Sequence, residues 1–136
     1  MKHIKTLLTL LFISLLSSPS WSETFGDLMQ RDGLFYKKFT DVPFTGEITG
    51  PIAVDNWSEQ GSVKNGKREG AWVSNYSDWQ IASKGNYKNG KQEGAWVELH
   101  QNGVILSKGN YEDGKREGAW IFKLPDGSVD SESTGN

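Results

Sequence analysis

A segment of 24 residues recurs along the chain and constrains its fold more than any single residue does. Residues 85–96 return almost unchanged as residues 109–120, with Gly, Asn, Tyr, Gly, Lys, Glu, Gly, Ala and Trp in the same order. Counting back by the same interval places residues 61–72 in register, and a further step reaches a more divergent unit. The period therefore predicts four repeats, at residues 37–60, 61–84, 85–108 and 109–129.

Asn-Gly and Asp-Gly pairs separate the short segments of these repeats. Such pairs favour type I′ hairpin turns, in which both central residues have positive φ. Beyond the N-terminal region, no long segment places apolar residues at helical spacing. The sequence therefore predicts an all-β fold, a single elongated antiparallel sheet of stacked β-hairpins with one hairpin per repeat. The predicted turns are Asn65-Gly66, Asn89-Gly90, Asn102-Gly103, Asp113-Gly114 and Asp126-Gly127.

Two-residue turns also fix which side chains share a face of the sheet. They predict that Trp96 meets Gly109, whose missing side chain leaves room for the indole ring. Repetition then stacks Trp and Tyr in columns, with Phe39 of the first repeat in the position of Tyr87 and Trp57 in the core column of the isoleucines. The face of Trp96 is predicted to hold His100, Ile81, Ile105 and Tyr111, and the opposite face Ala95, Val97, Leu99, Leu106 and Lys108.

The N-terminal residues have the features of a signal peptide. Lys2 and Lys5 precede an apolar run at residues 6–16, and Ser20-Trp21-Ser22 offers small residues for a peptidase. The run is shorter than the ~20 apolar residues that a membrane span needs. We therefore expect residues 1–22 to be removed, leaving a periplasmic or secreted protein with no transmembrane segment. The chain has no cysteine, so packing alone must stabilise it.

The charge pattern argues against nucleic acid as a partner. Without Lys2 and Lys5, 13 of the 15 basic residues remain against 17 acidic ones. Within the repeats, Lys and Arg alternate with Glu, whereas phosphate binding needs a concentrated basic field. The recurring Glu69, Glu93 and Glu117 are interpreted as solvated charges of the loops.

No constellation for catalysis is recognisable. His100 is the only histidine beyond the signal region, and no cysteine is present to complete a metal site with it. The serines lack a nucleophile motif, and no phosphate-binding loop occurs. We therefore predict no enzymatic activity, no cofactor, no metal and no catalytic residue.

Binding is the better hypothesis, and Trp79 is its strongest candidate residue. It replaces a turn glycine, so its indole lies exposed unless it folds back over its own hairpin. The divergent first repeat, with Pro43-Phe44, is interpreted either as a cap on the stack or as a groove for a partner. Residues 23–36 are expected to form an N-terminal lead and residues 130–136 a polar tail. The predicted contact residues are Trp79, Tyr76, Phe44 and His100.

The string Asn-Gly-Lys-x-Glu-Gly-x-Trp, followed by a strand, Asn-Gly and another strand, resembles the bacterial variant of the MORN repeat over about residues 35–129. This family occurs in many exported proteins, including a group described as antitoxin-like. The resemblance implies stacked hairpins and a role in binding or scaffolding, without catalytic residues.

Three function classes follow. The leading one is an exported, non-catalytic module that binds a protein partner, with toxin neutralisation as its concrete form. The alternatives are a cell-envelope scaffold or polysaccharide-binding module that uses exposed aromatic residues, and an enzyme with an unrecognised site. Free sheet edges could also pair with a second copy.

Overall fold

Consecutive β-strands account for most of the computed structural model, which describes residues 22–51 and 57–134. The predicted all-β fold of consecutive hairpins is confirmed. A 3₁₀ turn at Phe25–Asp27 is the only helical element in the described residues. The strands are β1 (Ser22–Thr24), β2 (Leu28–Arg31), β3 (Leu34–Lys37), β4 (Gly46–Pro51), β5 (Ser58–Lys64), β6 (Lys67–Asn75), β7 (Ile81–Lys88), β8 (Lys91–Leu99), β9 (Ile105–Glu112), β10 (Lys115–Lys123) and β11 (Val129–Thr134).

Nine strands form one sheet in the order β1-β4-β5-β6-β7-β8-β9-β10-β11. All neighbours are antiparallel except β1 and β4, which are parallel. Strands β2 and β3 form a separate hairpin, so the prediction of a single sheet needs this correction. The predicted lead at residues 23–36 therefore contains regular structure. Residues 1–21 of the predicted signal peptide lie outside the described residues, and Ser22 belongs to β1.

The largest cluster of buried apolar side chains lies at the N-terminal end of the sheet, where the β2–β3 hairpin packs. The amide of Phe35 in β3 donates to the Gly66 carbonyl oxygen at 2.8 Å, and the Gly66 amide donates to Phe44 at 2.7 Å. These bonds connect the β2–β3 hairpin to the β5–β6 turn and favour the capping interpretation of the first repeat. The cluster contains Leu28, Phe35, Phe44, Ile48, Val63 and Trp72.

Three of the predicted pairs adopt positive φ at both central residues, as type I′ turns require. At Asn89-Gly90 the angles are 50° and 79°, and Asn65-Gly66 and Asp113-Gly114 are closely similar. Asp32-Gly33, between β2 and β3, has the same geometry at 53° and 78°. No hairpin was predicted at this Asp-Gly pair, because it lies in the predicted N-terminal lead.

The pairs Asn102-Gly103 and Asp126-Gly127 form a different turn, so that part of the prediction is wrong. Only the glycines have positive φ, 82° and 86°. The His100 amide donates to the Val104 carbonyl oxygen, which encloses a three-residue loop, and an extra residue is accommodated in the strand that follows.

This extra residue changes which side chains share a face. Leu99 pairs with Ile105 and Glu98 with Ser107, so Leu106 is left without a partner in the ladder. Ile105, and Ile81 in the preceding repeat, therefore lie on the face opposite Trp96, contrary to the prediction. Trp57 is 40% exposed and contacts Tyr76 edge-on, rather than lying in the core.

Glycine makes room for tryptophan in the second, third and fourth repeats. Trp96 pairs in register with Gly109, as predicted, but its ring lies over Gly85 on the other side. A Cβ atom built at Gly85 would stand 2.2 Å from Trp96 Cδ2. A Cβ atom at Gly61 would come similarly close to the ring of Trp72, and one at Gly109 to the ring of Trp120. The two residues Gly94-Ala95 bulge out of the β7–β8 pairing, and the indole N–H of Trp96 donates to the Asn86 carbonyl oxygen at 3.0 Å.

The tryptophans alternate with tyrosines in edge-to-face contacts, and Phe122 stacks on the last tryptophan, Trp120; these rings are called the aromatic ladder below. Neighbouring ring centroids are 5.0–6.2 Å apart, a distance at which such pairs add stability beyond their area. The three tryptophans are only 2–6% exposed. Burial within the ladder raises the pKa of the Tyr87 hydroxyl above its ordinary value. The members are Trp72, Tyr87, Trp96, Tyr111, Trp120 and Phe122.

Two of the three recurring glutamates, Glu69 and Glu93, bind the turn of the next hairpin, which corrects their interpretation as solvated charges. Glu69 accepts from the Asn89 amide at 2.8 Å, and Glu93 accepts from the Asp113 amide at 2.9 Å. In the first repeat, Thr45 takes this role toward the Asn65 amide. A charged acceptor strengthens such a bond, so these contacts fix the spacing between hairpins.

Replacing Glu93 with alanine is expected to lower the free energy of unfolding by about 1 kcal/mol, because the Asp113 amide loses its charged acceptor. Urea denaturation followed by tryptophan fluorescence measures the loss. Glu117→Ala is the matched control: it stands at the same repeat position, and Glu117 makes no hydrogen bond to a turn in the described residues. An equal loss in both variants would contradict the capping role.

The last strand occupies most of the predicted polar tail. Residues 130–134 belong to β11, which pairs with β10 through backbone hydrogen bonds. Asp130 and Glu132 are exposed on this outer strand, and charged side chains are a common protection of sheet edges. The polar composition therefore reflects an edge strand, and it does not mark the end of regular structure.

Candidate functional site

The face of the sheet opposite the aromatic ladder carries an open groove of about 600 Å³. Its floor consists of small and branched apolar side chains from β6 to β9. We call it the apolar groove. Apart from Trp72, Trp96 and Gly85, which reach it from the ladder side, its lining consists of Ala71, Val73, Ile81, Lys84, Asn86, Ala95, Val97, Leu99, Ile105 and Lys108.

The groove exists because the same strands are apolar on both faces. In the second, third and fourth repeats, a ladder tryptophan is followed at once by a branched apolar residue, as in Trp72-Val73 and Trp96-Val97. Successive strand residues point to opposite faces. The tryptophan is therefore buried in the ladder while its neighbour lies half-buried in the groove. Sequence reasoning predicted part of this face but missed Ile81 and Ile105, which the bulges move there.

A row of cross-strand partners crosses the groove at right angles to the strands. Val73 pairs with Lys84, Lys84 with Val97, and Val97 with Lys108. Lys108 in turn pairs with Ile121 on β10. Apolar and basic side chains therefore alternate across the sheet in one line.

The two lysines give the groove its charge. Lys84 and Lys108 are exposed, and neither forms an ion pair within the part of the chain that the structure describes. No Asp or Glu lines the groove. Two acidic side chains on this side lie outside the groove: Glu132 of β11 pairs with Ile121, two strands beyond Lys108, and Glu47 lines a separate pocket with Ala71 and Val73. The groove is therefore apolar with a basic centre.

Trp79 lies in the turn between β6 and β7, two residues before Ile81 of the groove. Its side chain is 78% exposed, so it does not fold back over its hairpin. Its backbone has a φ of 67°, the left-handed conformation that Gly103 adopts in the next repeat. For a residue with a side chain this conformation costs roughly 1–2 kcal/mol.

Tyr76 and His100 occupy equivalent positions in successive repeats and connect neighbouring hairpins. The Tyr76 hydroxyl donates to the Leu99 carbonyl oxygen at 2.6 Å, and His100 Nε2 lies 2.7 Å from the Lys123 carbonyl oxygen. Both side chains are half-buried. The polar groups of both side chains bond to the neighbouring hairpin. Although both were predicted as contact residues, little of either side chain is available to a partner.

Phe44, the fourth predicted contact residue, is buried in the N-terminal cluster and is only 7% exposed. Phe39, predicted in the position of Tyr87, is instead 99% exposed, with a φ of 64°. The amide of Thr40 donates to the Lys37 carbonyl oxygen, which closes a turn that directs the chain away from the ladder. Of the four predicted contact residues, Trp79 alone is exposed.

Replacing Trp79 with glycine is expected to raise the free energy of unfolding by about 1 kcal/mol, because glycine adopts positive φ without steric cost. Thermal denaturation at several urea concentrations measures the gain. Gly103→Ala is the matched reverse change: its Cβ would meet nothing within 4 Å, so only its φ of 82° opposes alanine. It should lose a similar amount, and a neutral result in both variants would refute backbone strain at this position.

Within residues 22–51 and 57–134, no three side chains of His, Asp or Glu stand together in a manner that could hold a metal ion. Among the same residues, no helix has the length and apolar character needed to cross a membrane. No protein-family model matches the chain, and no curated protein matches its sequence.

Proposed function

We propose that this chain is an exported, non-catalytic repeat protein that binds a protein partner through the apolar groove and Trp79. The observation that carries the proposal is the groove itself: about 600 Å³ of open space on the sheet face that the aromatic ladder does not use. Contiguous exposed apolar surface of this kind is characteristic of interaction sites. The predicted signal peptide supports export.

The aromatic ladder supports the proposal by stabilising the scaffold from the other face. Because Trp72, Trp96 and Trp120 are buried there, the groove residues are not required to cover them. Ties such as the Tyr76 hydroxyl to Leu99 hold adjacent hairpins in fixed positions. A rigid surface loses little conformational entropy when it binds, which favours affinity.

Trp79 supports the proposal by its combination of exposure and strained backbone. Residues held in sparsely populated conformations cluster at functional sites. Tryptophan is also among the side chains that contribute most to protein interfaces. An exposed indole two residues before Ile81 of the groove is suited to add a contact to a partner that binds there.

Neutralisation of a toxin is the concrete form that the resemblance to the bacterial MORN-repeat variant suggests for this binding. The polysaccharide alternative needs a continuous row of exposed aromatic rings. In the described residues the row of rings is the aromatic ladder, whose tryptophans are 2–6% exposed. Protein binding therefore receives the stronger support.

The test compares two alanines that hold the same position in successive repeats. Ala95 lines the groove, whereas Ala119 does not, and both are exposed. The wild-type chain, Ala95→Glu and Ala119→Glu are immobilised and incubated with envelope extract of the source organism. Any recovered protein is then purified and its affinity for each chain measured by calorimetry.

Ala95→Glu should weaken binding by about tenfold or more, as expected for a charge buried in an interface, while Ala119→Glu should bind like the wild type. Trp79→Ala should also weaken binding. Failure of the wild-type chain to bind any purified candidate would refute the proposal. Equal affinity of all three chains would show that the groove is not the site.

A further inference from the structure

We infer that the partner segment that binds the apolar groove is an acidic amphipathic helix that lies across the strands. The inference rests on the proposed function and names the chemistry of the partner. It uses the charge of the groove, the spacing of its two lysines and the apolar positions between them. A second copy of this chain offers no such segment in its described residues, which contain no α-helix.

Charge indicates an acidic partner. Lys84 and Lys108 are the only charged side chains that line the groove, and neither forms an ion pair within the described residues. A neutral apolar segment would cover both ammonium groups and leave them without a partner. Carboxylates placed over them would instead form ion pairs at an interface, where complementary charges speed association and fix the register.

The spacing of the lysines selects a helix over an extended strand. Lys84 is on β7 and Lys108 on β9, with β8 between them, so their backbones are about 10 Å apart at ~4.8 Å per strand. In a helix, residues i and i+7 lie on one face and are about 10.5 Å apart at 1.5 Å per residue. In an extended segment, side chains on one face recur at about 6.6 and 13 Å, and neither distance matches.

The apolar positions of the same row match the rest of a helical face. Val97 lies between the two lysines, and Val73 precedes Lys84. A helix with acidic residues at i and i+7 places residues i+3 and i+4 between them on the same face. Apolar residues at i+3 and i+4 would therefore contact Val97, with the small Ala95 beside it leaving room for close approach.

Two synthetic peptides of ~15 residues provide the probe, a length at which designed helices become measurable in water. Both peptides have the same amino-acid composition, and both place leucines on one face of the helix. One has glutamates at i and i+7, and the other has them at i and i+5, about 140° apart around the helix axis, so that they do not share a face. Each is labelled with fluorescein, its helicity is checked by circular dichroism, and its affinity for the full chain is measured by anisotropy.

The i, i+7 peptide is expected to bind at least about tenfold more tightly than the i, i+5 peptide, with an affinity that falls as salt rises. The double variant K84E/K108E should remove this advantage. K88E/K115E is the control, because it makes the same charge change at two exposed lysines that do not line the groove. It should leave the preference unchanged.

Equal affinity of the two peptides, or no binding by either, would overturn the inference. The same holds if K84E/K108E retains the preference. The proposed function would survive each of these results if the purified natural partner still distinguished Ala95→Glu from Ala119→Glu. If instead the peptide preference is found but no protein partner binds, the proposed function fails separately from the chemistry of the groove.

Discussion

Replacing Trp96 with alanine is expected to lower the free energy of unfolding by about 3–5 kcal/mol, the usual cost of removing a buried tryptophan. Its ring is 6% exposed and contacts both Tyr87 and Tyr111 edge-on, at 5.2 and 6.1 Å. The substitution also removes the indole N–H that donates a hydrogen bond to the Asn86 carbonyl oxygen. The loss therefore combines a cavity, two ring contacts and a hydrogen bond.

Urea denaturation monitored by circular dichroism measures this effect, because it does not depend on the tryptophan that is removed. Trp79→Ala is the control: it deletes the same side chain where it is 78% exposed. That variant should not lose stability, since alanine keeps the strained φ and the indole has little to contact. Similar losses in the two variants would mean that the aromatic ladder is not the main source of stability.

The position of Trp96 in the repeat array adds a second consequence. In a repeat protein each unit is stabilised chiefly by its neighbours, so removal of a central contact weakens the coupling between them. Trp96 contacts Tyr111 of the fourth repeat directly, and it reaches Trp72 of the second repeat through Tyr87 of its own repeat. Its loss should therefore broaden the unfolding transition as well as shift its midpoint.

The repeat period and the turn dipeptides were sufficient to predict the hairpin architecture. An Asn-Gly pair at residues 89–90 acts through its own backbone, so a local pattern determines the turn. The register of Trp96 with Gly109 followed from the same logic. These features depend on residues that are close in sequence, which explains their success.

Features that depend on contacts between hairpins were not predicted. Glu93 looks like a surface charge until the next turn is placed against it, 20 residues away. Ile105 was assigned to the wrong face because the turn at Asn102-Gly103 encloses three residues instead of two, and a shift by one residue exchanges the faces of a strand. Two turns with the same dipeptide thus differ in loop length.

The groove was missed for the same reason. The predicted face opposite Trp96 contained Ala95, Val97, Leu99, Leu106 and Lys108 but lacked Ile81 and Ile105, which line the groove in the structure. The exposure of Trp79 was one of the two arrangements predicted for it, because a tryptophan in place of a turn glycine contradicts the local pattern. A break in a repeat therefore identifies a candidate contact residue that the repeat itself does not show.

Replacing Gly85 with alanine is the second substitution for which a large effect is expected, although it adds only one methyl group. The new Cβ would stand 2.2 Å from Trp96 Cδ2 and 2.3 Å from Cε2, far inside the ~3.5–4.0 Å of normal carbon contacts. The indole must move, and its N–H would then lose the Asn86 carbonyl oxygen. We expect a loss of about 1–3 kcal/mol, as for overpacked cores.

A double-mutant cycle separates this clash from a general intolerance of alanine in β7. In a Trp96→Leu background the large ring is absent, so Gly85→Ala should cost little and could even stabilise the strand, where glycine is intrinsically unfavourable. The coupling free energy between the two sites should be about 1–3 kcal/mol by denaturation. An equal cost of Gly85→Ala in both backgrounds would show that the missing side chain serves the backbone of β7 and not the indole above it.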